Sequence, residues 1–162
     1  MDKATLSHEV SNSLLLLEEE LRSFVANAAA RTYRKAVHNL YYAALDAASA
    51  LLWSKGIRIE SHDAAQSLLS LHFVKSGALP RDTASRLNDL MAKRHAADYK
   101  GVVPIGAEDV SRFKPWVVEF VRACLALIRK GGLRVSTSAA EEAAEAAGRV
   151  RIDEAGNERG TS

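Results

Sequence analysis

Tyr33, Val37, Leu40, Ala44, Ala48 and Leu51 recur three and four positions apart with no proline or glycine between them. That period stacks all six on one side of a helix, so the chain must supply an apolar surface for the stripe to bury against. The helix is expected over about residues 28–55, closed by Gly56, and its many alanines let a neighbouring helix approach closely. The remainder of residues 1–133 repeats the pattern. Leu14, Leu17 and Leu21 mark an earlier helix over about 4–26, and Ser61 is a good N-cap for a third that carries Leu68, Leu69, His72 and Phe73 to Gly77. Pro80 suits the first turn of a fourth, ending near Lys100-Gly101. A fifth is expected over about 108–130 with Phe113, Val117, Phe120, Cys124 and Leu127 inward, kinked or restarted at Pro115, which has no amide proton for an interior turn. Almost nowhere is there the sustained alternation of a half-buried strand. The expected fold is all-α, an antiparallel up-and-down bundle of four to five helices.

After Gly131-Gly132 the chain changes to alanine, glutamate, glycine and arginine with almost no large apolar residue. Residues 1–133 are therefore read as the bundle and residues 134–162 as a mobile C-terminal tail. Ser138-Ala139-Ala140-Glu141 has the form of a capping box and would open a short helix over 138–147, one with little to bury. The tail holds four basic and six acidic side chains, which leaves 18 basic against 14 acidic in residues 1–133. A mildly basic bundle is compatible with nucleic acid. Apolar runs such as 14–17 and 25–30 are far shorter than a membrane span, and the start of the chain, with Asp2 and Glu9, is unlike a secretory signal. A cytoplasmic address with no membrane contact is expected.

Several chemistries lack their residues. Cys124 is the only cysteine, so no disulfide forms within the chain, and its place on the fifth apolar stripe marks it as a buried thiol. Histidines 8, 38, 62, 72 and 95 show no metal-ligand spacing, and no Glu-x-x-His pair is present, so neither a metal nor a cofactor is expected. Glycine-rich phosphate loops and the Gly-x-Ser-x-Gly elbow are absent. Ser61-His62-Asp63 has the residue types of a triad, but neighbours at a helix start do not face one another, and capping explains them better.

One charge is out of place. Leu87, Leu90, Met91, Arg94, Ala97 and Asp98 share a helical face, which puts a guanidinium on the apolar side of the fourth helix. Such a charge needs a partner or a ligand. Asp98, one turn on, would pair with it; alternatively Arg94 is a phosphate clamp, since guanidinium matches phosphate oxygens bidentately, with Lys93, His95 and Lys100 adding charge nearby. His38, Tyr42 and Asp46 on the second helix, with Asn39 beside them, form a second polar group able to line a cleft.

Taken in order, four stretches resemble the HEPN domain family, in its short stand-alone prokaryotic form. They are His38-Asn39-Leu40-Tyr41-Tyr42-Ala43-Ala44-Leu45-Asp46-Ala47-Ala48, Ser61-His62, Phe73-Val74-Lys75-Ser76-Gly77-Ala78-Leu79-Pro80 and Arg94-His95-Ala96-Ala97-Asp98-Tyr99. The resemblance implies an antiparallel bundle that forms a homodimer, often encoded beside a minimal nucleotidyltransferase in toxin–antitoxin pairs. It implies a metal-independent ribonuclease site at the dimer cleft, made from an arginine followed after four to six residues by a histidine. Here Tyr99, Lys100 and Gly101 stand where that histidine would fall. The expected site is thus Arg94 and Asp98 in catalytic positions, with Arg94, Lys93, His38, Asn39 and Tyr42 binding RNA or nucleotide, and His38, His62 or His95 standing in for the absent base. Some relatives are silenced by modification of a tyrosine near this motif, and Tyr99 is the matching position. The alternative is a non-catalytic helical protein-interaction module in which Arg94 and Asp98 are a structural pair.

Overall fold

The computed structural model describes residues 1–100 and 103–153, apart from the side chains of Ala97, Tyr99 and Lys100. Among these residues there are six α-helices and no strand: α1 Lys3–Ala29, α2 Tyr33–Ser54, α3 His62–Leu69, α4 Thr83–Lys100, α5 Ala107–Lys130 and α6 Ser138–Arg149. The all-α bundle expected from the apolar period is what forms.

Helix α2 is the hub. It packs along α1 and α5 and also meets α3 and α4, so its apolar residues are buried nearly all round rather than along one stripe. The alanines explain how this is possible. Ala36, Ala43, Ala44, Ala47, Ala48 and Ala50 are all buried, and small side chains let helices approach from several directions. Three residues, 30–32, link α1 to α2, too few for anything but an antiparallel hairpin. The hairpin is fixed by polar bonds as well as by packing. Thr32 donates its hydroxyl to the Asn27 carbonyl at 3.0 Å, and Arg31 takes the left-handed backbone at φ 60° to make the reversal.

Local signals place most helix ends. Asp2 caps α1 by accepting the Thr5 amide at 2.8 Å, and Ser61 caps α3 by accepting the Ala64 amide at 3.1 Å. Gly56, at φ +73°, follows the end of α2 in a conformation that other residues adopt only under strain. Helix α4 begins three residues later than Pro80 suggests. The residues 80–82 form a turn in which Thr83 donates its hydroxyl to the Pro80 carbonyl at 2.7 Å.

Three expectations are corrected. The third segment is not one regular helix: after Leu69 it continues as a π-helical turn, Ser70–Val74, which holds Phe73 inward while Leu71 and His72 face solvent. Helix α5 is not restarted at Pro115 but runs through it as one element, because its buried row from Val110 to Ile128 against the hub outweighs one missing amide bond. Finally, the packed body does not stop at residue 133. Helix α6 lies against α1 and α5 and buries Ala140, Ala143, Ala144 and Ala147, so a face too small to drive folding alone becomes a close-fitting one. Its N-cap position is Thr137 rather than Ser138, and the Thr137 hydroxyl donates to Glu141 Oε1 at 2.9 Å. Lys114 fastens the far end, donating to the carbonyls of Gly148 at 3.1 Å and Val150 at 2.6 Å. Residues 154–162, the remainder of the expected tail, lie outside the described residues.

Candidate functional site

The C-terminal half of α4 crosses the first half of α2, and there Arg94 meets two consecutive tyrosines. Its guanidinium carbon lies 5.2 Å from the ring centroid of Tyr41 and 5.2 Å from that of Tyr42. Cation–π attraction of this kind holds a guanidinium in place without consuming its N–H donors. Tyr41 is buried and Tyr42 half-buried, so the α2 backbone sets one ring in the core and the other at its margin. The two rings meet edge to face with centroids 5.2 Å apart, which fixes their relative orientation. Burial raises the pKa of the Tyr41 hydroxyl; the Arg94 charge works against that rise.

Arg94 also has the acidic neighbour expected from sequence, but the pairing is incomplete. Its Nε lies 3.2 Å from Asp98 Oδ2, an ion-pair distance, yet this buried nitrogen makes no hydrogen bond because the N–H direction misses the carboxylate. Distance and direction thus disagree, and direction decides whether a donor is satisfied. A buried donor left unmade costs about 1–3 kcal/mol, more next to a charge, so the arrangement is not the lowest-energy way to store an arginine. Asp98 itself is about half exposed, with 47% of its side-chain surface open to solvent, which weakens the pair further.

Two imidazoles complete the cluster. The His38 ring centroid is 4.7 Å from that of Tyr42, and His62 stands edge-on to the same ring at 6.0 Å. His62 is there because Ser61 begins α3 beside α2, so the capping reading and a site role apply to adjacent residues. Asp63, next along α3, is close enough to act on the Tyr41 hydroxyl electrostatically. Tyr42 therefore stands among Arg94, His38, His62 and Tyr41, contributed by three helices.

Other residues expected at the site are used elsewhere. Lys93 reaches across to α5 and pairs with Asp109 at 3.0 Å, while the other oxygen of Asp109 accepts the Gly106 amide at 3.0 Å and caps that helix. Asn39 turns toward α1: its amide donates to Glu20 at 2.9 Å and its carbonyl accepts from Asn27 at 2.7 Å. Asp46 also faces the acidic side of α1, where burial, Glu20 and Glu19 push its pKa up to about 7. His95 is exposed and has no ring contact with the cluster. The Tyr99 and Lys100 side chains lie outside the described residues. Arg34 is a residue the motifs do not single out; it donates to the Val103 carbonyl at 2.8 Å and ties the loop after α4 to the start of α2. Its place one turn before His38 is the only sequence signal that points to it.

A groove of about 270 Å³ does exist between the start of α4 and α5, lined by Leu79, Thr83, Trp116 and Phe120 among others, but none of the Arg94 cluster lines it. Cys124 is fully buried, and burial pushes its thiol far above the ordinary range, which removes it as a nucleophile. Among the described residues no three His, Cys, Asp or Glu side chains gather as a metal site would need, and no helix is long and apolar enough to cross a membrane.

The amino-acid sequence has counterparts among known proteins. The sequence profile of the HEPN domain matches residues 18–151. The chain belongs to the HEPN domain family. The matched region takes in α2 through α6, and so includes the C-terminal helix that composition sets apart. The chain is also similar to a UPF0332 protein of Thermotoga maritima, with 30% identity over 82 residues, covering 51% of this chain and 60% of that relative. The match thus spans less than two thirds of the relative's length. No solved structure matches the chain.

Proposed function

We propose that this HEPN protein binds the phosphate of an RNA or nucleotide through Arg94, at a cleft completed by a second copy of the chain. We place it in a two-component, toxin–antitoxin-like or nucleotide-signalling pair, with a minimal nucleotidyltransferase as the candidate partner. The observation that carries the reading is the buried Arg94 Nε that Asp98 approaches without accepting its hydrogen. A guanidinium held over two aromatic rings is already positioned, and a phosphate would satisfy the Nε donor that the fold leaves open. His38 and His62 border the same spot and give it the proton-transfer groups that metal-free phosphodiester chemistry requires.

The competing reading is a helical interaction module in which Arg94 and Asp98 stabilise each other. One observation favours it, their 3.2 Å separation. Fluorescence anisotropy with a labelled single-stranded RNA distinguishes the two. With Arg94 as a phosphate clamp, Arg94→Ala weakens binding about tenfold or more and lowers the salt dependence by about one counterion, while circular dichroism stays helical. Unchanged affinity and salt slope would assign Arg94 to structure.

A further inference from the structure

Helix α5 carries a second apolar row beside the one it buries against the hub. Trp116, Phe120, Ala123 and Leu127 recur at the three-and-four spacing of one helical face, and all but Phe120 are partly open to solvent. Helix α4 does not cover this row. It packs against α2, and toward the start of α5 it is joined by charges, Lys93 to Asp109 at 3.0 Å and Asp89 to Arg112 at 3.8 Å. The space left between the two helices is the groove of about 270 Å³, whose apolar walls are Leu79, Trp116, Phe120 and Ala123. Trp116 and Phe120 lie 15° from parallel with ring centroids 5.1 Å apart, so each ring fixes the orientation of the other.

The groove is short. From Trp116 to Ala123 the helix rises only about 10 Å. Arg86 and Trp116 line both this groove and a separate hollow of about 40 Å³, and so mark the boundary between the two. A space of this length takes a compact body rather than a helix or an extended strand. The polar lining sets the charge of that body. Asp82 and Arg86 neutralise each other at 2.7 Å, and Thr83 donates its hydroxyl to the Pro80 carbonyl. Glu119 is left over: among the described residues its carboxylate has neither a hydrogen bond nor an ion pair, Arg122 one turn on included. One uncompensated negative charge beside an indole attracts a cation on two counts.

We propose that the groove between α4 and α5 binds a small organic cation, a compact apolar or aromatic body bearing an ammonium group. The body lies among Leu79, Trp116 and Phe120, and the ammonium meets Glu119. A nucleotide has the opposite charge and is disfavoured there. None of the Arg94 cluster lines the groove, so the site stands whether or not Arg94 clamps phosphate.

Trp116 and Trp53 are the only tryptophans, which makes the test direct. The isotope-labelled full-length chain is titrated with phenethylamine, and the two indole N–H signals are followed by NMR, with Trp116→Phe assigning them. Phenethyl alcohol and phenylacetate serve as neutral and anionic counterparts. The amine should move the Trp116 signal saturably with a dissociation constant on the order of 1–10 mM, as expected for so small a probe, while the Trp53 signal stays in place. The alcohol should bind about threefold to tenfold more weakly, and phenylacetate more weakly still. Glu119→Gln, on the exposed side of α5, should remove the advantage of the amine and keep the affinity for the alcohol. Ala123→Leu, which fills the groove from a half-buried position, should abolish binding of both. No saturable shift of Trp116, equal affinity for all three probes, equal movement of Trp53, or an amine preference that survives in Glu119→Gln overturns the proposal.

Discussion

The polar side chains of α2 divide by the partner each one faces. Asn39 turns toward α1 and finds two hydrogen bonds; His38 and Tyr42 turn toward α3 and α4 and form the cluster around Arg94. Asp46 receives the least compensation, lying half-buried near Glu20 and Glu19, with its pKa pushed up to about 7. Because the folded chain holds this proton to higher pH than the unfolded one, the stabilisation is complete below the ordinary aspartate value of about 3.9 and fades as pH rises to about 7. Asp46→Asn removes the ionisation. The variant should be more stable than the parent at pH 8, by on the order of 1–3 kcal/mol after allowance for the exposed part of the group, and close to it at pH 4. Urea midpoints at the two values check this; a gain at pH 4 equal to that at pH 8 would show that ionisation of Asp46 is not the cause.

Among the helices, the packing of α6 is the sharpest departure from what the sequence suggests. Its buried face is all alanine, each side chain contributing little area, and Ala144 and Ala147 are closed off from solvent completely. Ala144→Asp should therefore lose about 2–4 kcal/mol, since Ala144 is fully buried and a carboxylate there has no partner. Glu142 lies on the exposed side of the same helix, so Glu142→Gln should be close to neutral, and differential scanning calorimetry of the two variants compares them directly. The long periodic helices α1, α2 and α5 are legible because their stripes carry leucine, valine and phenylalanine; α6 is not, because alanine registers in sequence as helix propensity and only in three dimensions as close packing. The π-helical turn has no sequence signal, and the continuity of α5 through Pro115 depends on tertiary packing that a local rule cannot weigh. For the site, Arg94 is legible as a cation on an apolar stripe. Its two tyrosines and His62 are not assembled by sequence, because the contact between α2, α3 and α4 is set by how the helices cross.

Where the folding unit ends is a property of the molecule as a whole, and α6 decides it. This helix closes the side of the bundle formed by α1 and α5, Arg129 pairs with Glu141 at 3.2 Å across the connection, and Val150 and Ile152 pack against the core beyond the helix. A chain ended at residue 133 would uncover that side, whereas one ended at residue 153 would keep it. The shorter chain should lose on the order of 2–4 kcal/mol of apolar burial, a fall in Tm of about 5–15 °C for a protein of this size, and should bind a hydrophobic dye that the longer chain ignores. The Arg94 cluster belongs to α2, α3 and α4 and has no residue on α6, so RNA affinity measured well below the lower Tm should be the same for both chains. Equal melting temperatures would return residues 134–153 to the status of a tail; unequal RNA affinities would mean that the C-terminal helix is part of the binding surface as well as part of the fold.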